Sequence, residues 1–325
     1  MPIQKITALA GIAKQSAVGT IAANPTFAHG LTGGAPISVE PSQNALEVTS
    51  GKRAQYNVYR DSVASGAEIQ SYGYLKSLGL YLLGAIGTDT VTGTGPYVHT
   101  YATGDLPYLT AFTKGIDTTI EAVRDCKLDE LTLKWDGSKP VELTAKAVGT
   151  VFSYPSTFTP TTDETGSESY LTPIGGAFTI DVLGSTLVSA RVIGGELSIK
   201  NNVSAIDPSA AVEAVDVYEG LQEHSLKLTI VPDNLAEFRK VVTGAANGTT
   251  VASVAPTGSV SLTFKENNGT GQLVVTGSKV AFMTSFPDAD PKGGAVEIEL
   301  AGMAVMPAGG TAPLVYALTN AQASY

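Results

Sequence analysis

GELSIKNNVSAI, spanning Gly195–Ile206, echoes APISVEPSQNAL, spanning Ala35–Leu46, 160 residues upstream. Ile37, Ser38 and Val39 stand where Leu197, Ser198 and Ile199 stand. Both stretches alternate apolar and polar residues and then give way to turn formers, the period-two mark of a half-buried strand. Further correspondences follow at a similar spacing. VYRDSVASGAEIQS (58–71) and VYEGLQEHS (217–225) are the next strand-rich segments. Each leads to a helical stripe: Leu75, Leu78, Leu82 and Ile86 in one, Leu235, Phe238, Val241 and Val242 in the other. Gly79 and Gly84 weaken the first helix and Gly87 caps its end; Asp233 or Asn234 would cap the second, with Glu237 behind it and Gly244 at its close. Hairpins follow each helix. ELTLKWDGSKPVELTAKAVG turns at Asp136-Gly137, and AVEIELAGMAV closes the later copy. The order strand, turn, strand, helix, hairpin, hairpin is thus written twice. It predicts a tandem duplication of one α+β unit of about 140 residues.

The expected organisation is an N-terminal arm (1–34), a first unit (35–154), a linker or surface loop (155–173), a second unit (174–306) and a C-terminal arm (307–325). The linker is rich in Pro, Thr, Ser and Glu without period. In the tail, a Pro/Gly break precedes an apolar patch, Leu314 to Leu318. That patch reads equally as a docking arm or as a terminal strand of its own domain.

Of 325 residues, 43% are hydrophobic and only 15% charged. Such composition suits a β-protein whose surface is partly covered by copies of itself, or a plain surface β-domain. The net charge of −10 argues against a general nucleic-acid binder. Residues 1–155 hold 12 basic and 13 acidic side chains, residues 156–325 hold 8 and 17, so the second half carries nearly all the excess. An acidic surface would let DNA pass without sticking. The single cysteine, Cys126, excludes an internal disulfide and reads as a small buried hydrophobe. No apolar window is long enough for a membrane anchor, and the run Ile6 to Ala13 lacks the form of a signal peptide, so a product of the cytoplasm is expected.

Chemistry is hard to find. His29, His99 and His224 share no metal-binding spacing, and His99 reads as a strand residue. There is no nucleophile elbow. Gly51-Lys52 lacks the upstream glycine of a phosphate loop, and GTDTVTGTGPY lies between helix and strand, the wrong order for a dinucleotide site. Asp288 and Asp290 lack the later carboxylate of a calcium loop. The pairs Asp129-Glu130 and Asp163-Glu164 have no visibly apolar setting that would raise a pKa. No catalytic, cofactor or metal residue is therefore expected, and a binding or assembly protein is what remains.

At this point a family likeness enters. EIQSYGYLKSLGLYLLGAIGTDTVTGTGPYVHTYATGDLPYLTAFTKG (68–115), followed by the strand KLDELTL (127–133), resembles the tail tube proteins of long-tailed phages with non-contractile tails, above all those of actinobacterial hosts. GIAKQSAVGT (11–20) resembles their starts. The resemblance implies a mainly β (α+β) fold of two tandem sandwich units, each with a flanking helix. It implies rings that stack into a hollow tube of the virion tail, made in the bacterial cytoplasm, enclosing a tape-measure protein and later conducting DNA. The partner would be the chain itself, as three duplicated chains per pseudo-sixfold ring or six single ones. Acids lining the bore would include Glu297 and Glu299 on a strand and Asp129 and Glu130 in a hairpin. The rival readings are a capsid-decorating or surface-adhesion protein of two β-domains, and a glycan-degrading tail enzyme, which would need two opposed carboxylates.

Overall fold

The computed structural model describes residues 9–22, 27–46, 57–115, 119–156, 160–162, 168–182, 185–187, 191–209, 211–231, 235–245, 248–284, 296–310 and 312–325. The first part of the chain gives β1 (Leu9–Lys14), β2 (Phe27–Gly30), β3 (Ser38–Ala45), β4 (Val58–Tyr72), α1 (Leu75–Ile86), β5 (Gly87–Thr92) and β6 (Tyr97–Thr103). β7 (Leu109–Lys114), β8 (Ile120–Asp136), β9 (Glu142–Gly149), β10 (Val151–Ser153) and β11 (Thr161–Thr162) complete it. The second part gives β12 (Leu171–Val182), β13 (Ser185–Leu187), β14 (Val192–Lys200), β15 (Ser204–Ile206), β16 (Asp216–Tyr218) and β17 (Glu223–Ile230). It ends with α2 (Leu235–Thr243), β18 (Thr257–Glu266), β19 (Gln272–Thr284), β20 (Ile298–Ala304) and β21 (Val315–Asn320). The protein is mainly β.

Eight strands form one continuous antiparallel front sheet in the order β3-β4-β9-β8-β14-β17-β20-β19. Its first four strands come from the first part of the chain and its last four from the second. Behind it, β2-β1-β7-β8-β10 form one sheet, and β13-β12-β18-β19-β21-β6-β5 another. β8 and β19 each belong to both layers and turn the corner between them. The same sequence of elements therefore recurs: β1, β3, β4, α1, β7, β8, β9, β10, then β12, β14, β17, α2, β18, β19, β20, β21. Within each part the pairings correspond, but β3 pairs with β4 alone among the described residues while β14 pairs with both β17 and β8, and β21 pairs with β6 as well as β19.

Alternation explains the layers. In β9 the odd residues Leu143, Ala145 and Ala147 are buried while Glu142 and Lys146 face water. β14 and β17 alternate likewise, burying Leu197 and Ile199, and Leu226 and Leu228. α1 is the exception, buried on every side except at Lys76, as a helix apolar all round must be. The glycines that weaken its stripe serve close packing. A Cβ on Gly79 would overlap the Tyr325 ring, and one on Gly84 would press on Leu109 and Leu128. Gly87 ends the helix at φ 115, donating its N–H to Leu83.

The two parts interlock. Trp135, from β8, is 3% exposed and packs on Phe178 and Phe264 of the second part, with ring centroids 6.0 and 4.9 Å away. β21 lies between β19 and β6, so the C-terminal patch is a strand of its own molecule, the second of the two readings of that tail. Asn320 and Tyr325 then reach the carbonyl of Leu75 on α1. The N-terminal stretch read as an arm is also built in. Residues Leu9–Lys14 pair with β7 throughout, and Ala10, Ile12 and Ala13 are buried. Small residues and a partner 100 positions distant hid that strand from periodicity. The caps expected for α2 at Asp233 or Asn234, the carboxylates Asp163, Glu164, Asp288 and Asp290, and Gly51-Lys52 lie outside the described residues.

Candidate functional site: the outward face of the front sheet

The features that would mark a chemical site are spent on structure. Cys126 is fully buried, and burial pushes its thiol up to about 12. His99 is fully buried between Asp89, 2.8 Å from Nδ1, and the carbonyl of Gln322, 2.9 Å from Nε2. His224 is buried against Gln222 and Tyr316, and burial lowers its pKa to about 4. His29 is buried and stacks on Tyr74 at 4.3 Å. Among the described residues no three His, Cys, Asp or Glu gather in a way that could hold a metal ion. No helix there is long and apolar enough to cross a membrane.

The outward face of the front sheet is built differently. Its four central strands each carry one five-residue phrase: ELTAK (142–146) in β9, ELTLK (130–134) in β8, ELSIK (196–200) in β14 and EHSLK (223–227) in β17. Period two puts Glu, Thr or Ser, and Lys of each phrase on one face. Antiparallel pairing then reverses every second phrase, so each Glu meets a Lys. One row across the sheet is Glu68, Lys146, Glu130, Lys200, Glu223. The next is Gln70, Thr144, Thr132, Ser198, Ser225. The third is Tyr72, Glu142, Lys134, Glu196, Lys227. Lys146 lies 2.7 Å from Glu130, and Lys227 lies 2.8 Å from Glu299. Hydrogen bonds to those carboxylates raise the pKa of both lysines. Opposed charges across strands stabilise by a few tenths of a kcal/mol to about 1 kcal/mol each, while like charges there destabilise. The three rows hold five Glu and four Lys, so opposite charges nearly balance within these rows, while Glu40, Asp136 and Glu299 on the same sheet leave the face as a whole with an acidic excess.

The four acids singled out from sequence are placed differently. Glu130 belongs to the first row, and Glu299, opposite Thr229 and so one step outside the third row, reaches Lys227 diagonally. Glu297 is exposed just ahead of β20. Asp129 is the bulge residue of β8; its carboxylate accepts the Val203 N–H at 2.8 Å and its carbonyl accepts the Asn201 N–H at 2.7 Å. The lysines were missed. The fourfold phrase was legible in the sequence, but its meaning depends on register.

A family profile described as phage tail tube protein matches residues 6–306. The chain belongs to the phage tail tube protein family. A search of curated proteins finds no match. Tail tube proteins are structural components of the virion tail that assemble with copies of themselves, and they are not enzymes. The mainly β architecture agrees with that membership.

Proposed function

We propose that the outward face of the front sheet lines the bore of the tail tube, through which a tape-measure protein and then DNA pass. Three chains form each ring, each chain contributing two equivalent units, and rings stack along the axis. The carrying observation is the phrase Glu-x-Thr/Ser-x-Lys repeated on four adjacent strands in opposite directions. It sets a glutamate opposite the lysine of every phrase, and two of the four lysines, Lys146 and Lys227, close ion pairs with Glu130 and Glu299. A passing polyanion then finds each lysine flanked by glutamate, with no cluster of positive charge to hold it and no unbroken acidic wall to oppose it. Glu130 and Glu299 belong to that lining, each beside its lysine, and Glu297 stands at its margin. The recurring element order supports the duplication, with units close to residues 35–154 and 174–306, each drawing an extra strand from the neighbouring terminal segment.

The test is accessibility. Ser198→Cys places one thiol in the hydroxyl row, while buried Cys126 stays unreactive. In assembled rods, a small maleimide should label it and a maleimide on a large carrier should not; in dispersed chains both should. Equal labelling of rods by the large reagent would put this face on the outside and end the proposal.

A further inference from the structure

The chain contains its own picture of how two units join, at the seam where β8 meets β14. Antiparallel pairing there runs from Asp136 opposite Gly194 to Glu130 opposite Lys200. In the recurring order, β14 is the counterpart of β3, and β8 the counterpart of β19. β3 pairs only with β4 among the described residues, and its Val39 and Glu40 are exposed. The pairing of β19 with β18 stops at Ala281, and Met283 beyond it is 64% exposed. The front sheet thus ends in the two strands that, in the other unit, meet each other.

The register can be worked out because both corner strands carry the same irregularity. Between β7 and β8, Leu109 pairs with Cys126 and Ala111 with Val123; between β18 and β19, Gly258 pairs with Val280 and Val260 with Gly277. In each case one strand advances two residues while the other advances three. This bulge anchors equivalent rows. In the second unit the row runs Val280, Ala304, His224, Ile199. In the first it runs through Gly149, Ser65 and Val39, since Lys127 pairs with Val148 one step before. Val39 is therefore the counterpart of Ile199, as the sequence echo also has it. At the seam, Ile199 meets Leu131, which lies opposite Ala145, four residues from Gly149. Four residues before Ala304 is Leu300, whose partner on β19 is Thr284.

Resting on the tube reading, we infer that the free edge of β3 receives β19 of a second copy of this chain, with Val39 opposite Thr284 and Glu40 opposite Met283. Pro41 follows at once. It has no N–H to donate, and it stands where the internal seam also stops pairing. In the one outward-facing row of this joint that the described residues reach, Glu40 meets exposed Met283 where the internal seam sets Lys200 against Glu130.

The same register sets the bore. A stagger of four residues is about 13 Å along the strands for every four strands, or about 19 Å, of sheet width. That is a tilt of about 35°, at the lower end of the range closed barrels adopt. Six units so staggered close into a barrel roughly 45 Å across its backbone, and inward side chains leave roughly 35 Å, room for several helices each about 10–12 Å wide.

Cross-linking tests the joint. Glu40→Cys with Met283→Cys should oxidise between copies in assembled rods, because strand partners have Cα atoms about 4.5–5.5 Å apart, within disulfide reach. Glu40→Cys with Ala281→Cys, two residues out of register, should yield at least tenfold less cross-linked product. The covalent ladder should end at three chains. Rods that form without cross-linking, a better yield from the Ala281 pair, or a link within one chain would each overturn the joint while leaving the tube standing. Cross-linked trimers without rods would support the joint and sink the tube. Neither rods nor cross-links would overturn both.

Discussion

Asn201 offers a sharp test of how the two parts of the chain are held together. It follows β14, is 1% exposed, and its amide donates to Leu128 at 2.8 Å and to Ala85 at 3.0 Å. Its carbonyl oxygen accepts from Gln222 at 3.0 Å. One side chain of the second part thus satisfies the end of α1 and the bulge of β8 in the first. In Asn201→Ala, Ala85 keeps a donor, because Gln222 also reaches it at 2.9 Å. The bond to Leu128 is lost without replacement. An orphaned buried carbonyl costs about 1–3 kcal/mol and the second lost bond about 1 kcal/mol, so the loss should total about 2–4 kcal/mol. Asn201→Asp should be worse at pH 7, since a carboxylate would then face carbonyl oxygens. Those oxygens raise the pKa of the new acid in the folded state. Its protonated form can donate, so the Asp variant should regain stability as pH falls through that raised value and lose it as pH rises. Denaturant unfolding of dispersed chains at pH 5 and 7.5 reads both effects. A loss under about 1 kcal/mol for the Ala variant, or an Asp variant insensitive to pH, would refute the reasoning.

Other outcomes follow from the same contacts. Trp135→Ala removes a ring packed on Phe178 and Phe264 and should cost about 3–5 kcal/mol in the same unfolding assay. His224 is neutral and buried with its pKa held at about 4, below the ordinary 6.5, so its contribution is complete above about pH 6.5 and falls away as pH drops toward 4. His224→Gln should flatten that part of the stability profile, by up to roughly 3 kcal/mol between the two ends. Lys134→Glu sets three glutamates side by side with Glu142 and Glu196. It should destabilise by about 1–2 kcal/mol at low salt, with much of that recovered at high salt.

Much of this fold could be read from residues alone, for physical reasons. The echo of Ala35–Leu46 in Gly195–Ile206 marks β14, whose apolar residues alternate into the core, but in the first copy β3 begins only at Ser38, runs through the residues read as a turn and buries none of its side chains. Asp136-Gly137 marks the β8–β9 turn, where Gly137 takes φ 57. α1 and α2 lie where their stripes predict them. What escaped depended on partners distant in sequence. Leu9–Lys14 is too short and too rich in small residues to declare itself, and only β7 makes it a strand. Asp129 looks like any hairpin acid until the bulge turns it toward Val203. The Glu-x-Thr/Ser-x-Lys phrases are plain in the sequence, yet a balanced surface emerges only when neighbouring strands run in opposite directions. Counting acids over the chain pointed to an acidic bore. Pairing them strand by strand shows that the acids of the central rows each stand beside a lysine.

The most direct measurement of the central claim is the mass per ring of assembled rods, read by scanning transmission electron microscopy together with the axial repeat. Three chains of 33.4 kDa, about 100 kDa per ring, are predicted. Six chains per ring would contradict the account, because each chain would then supply one unit to the wall rather than two.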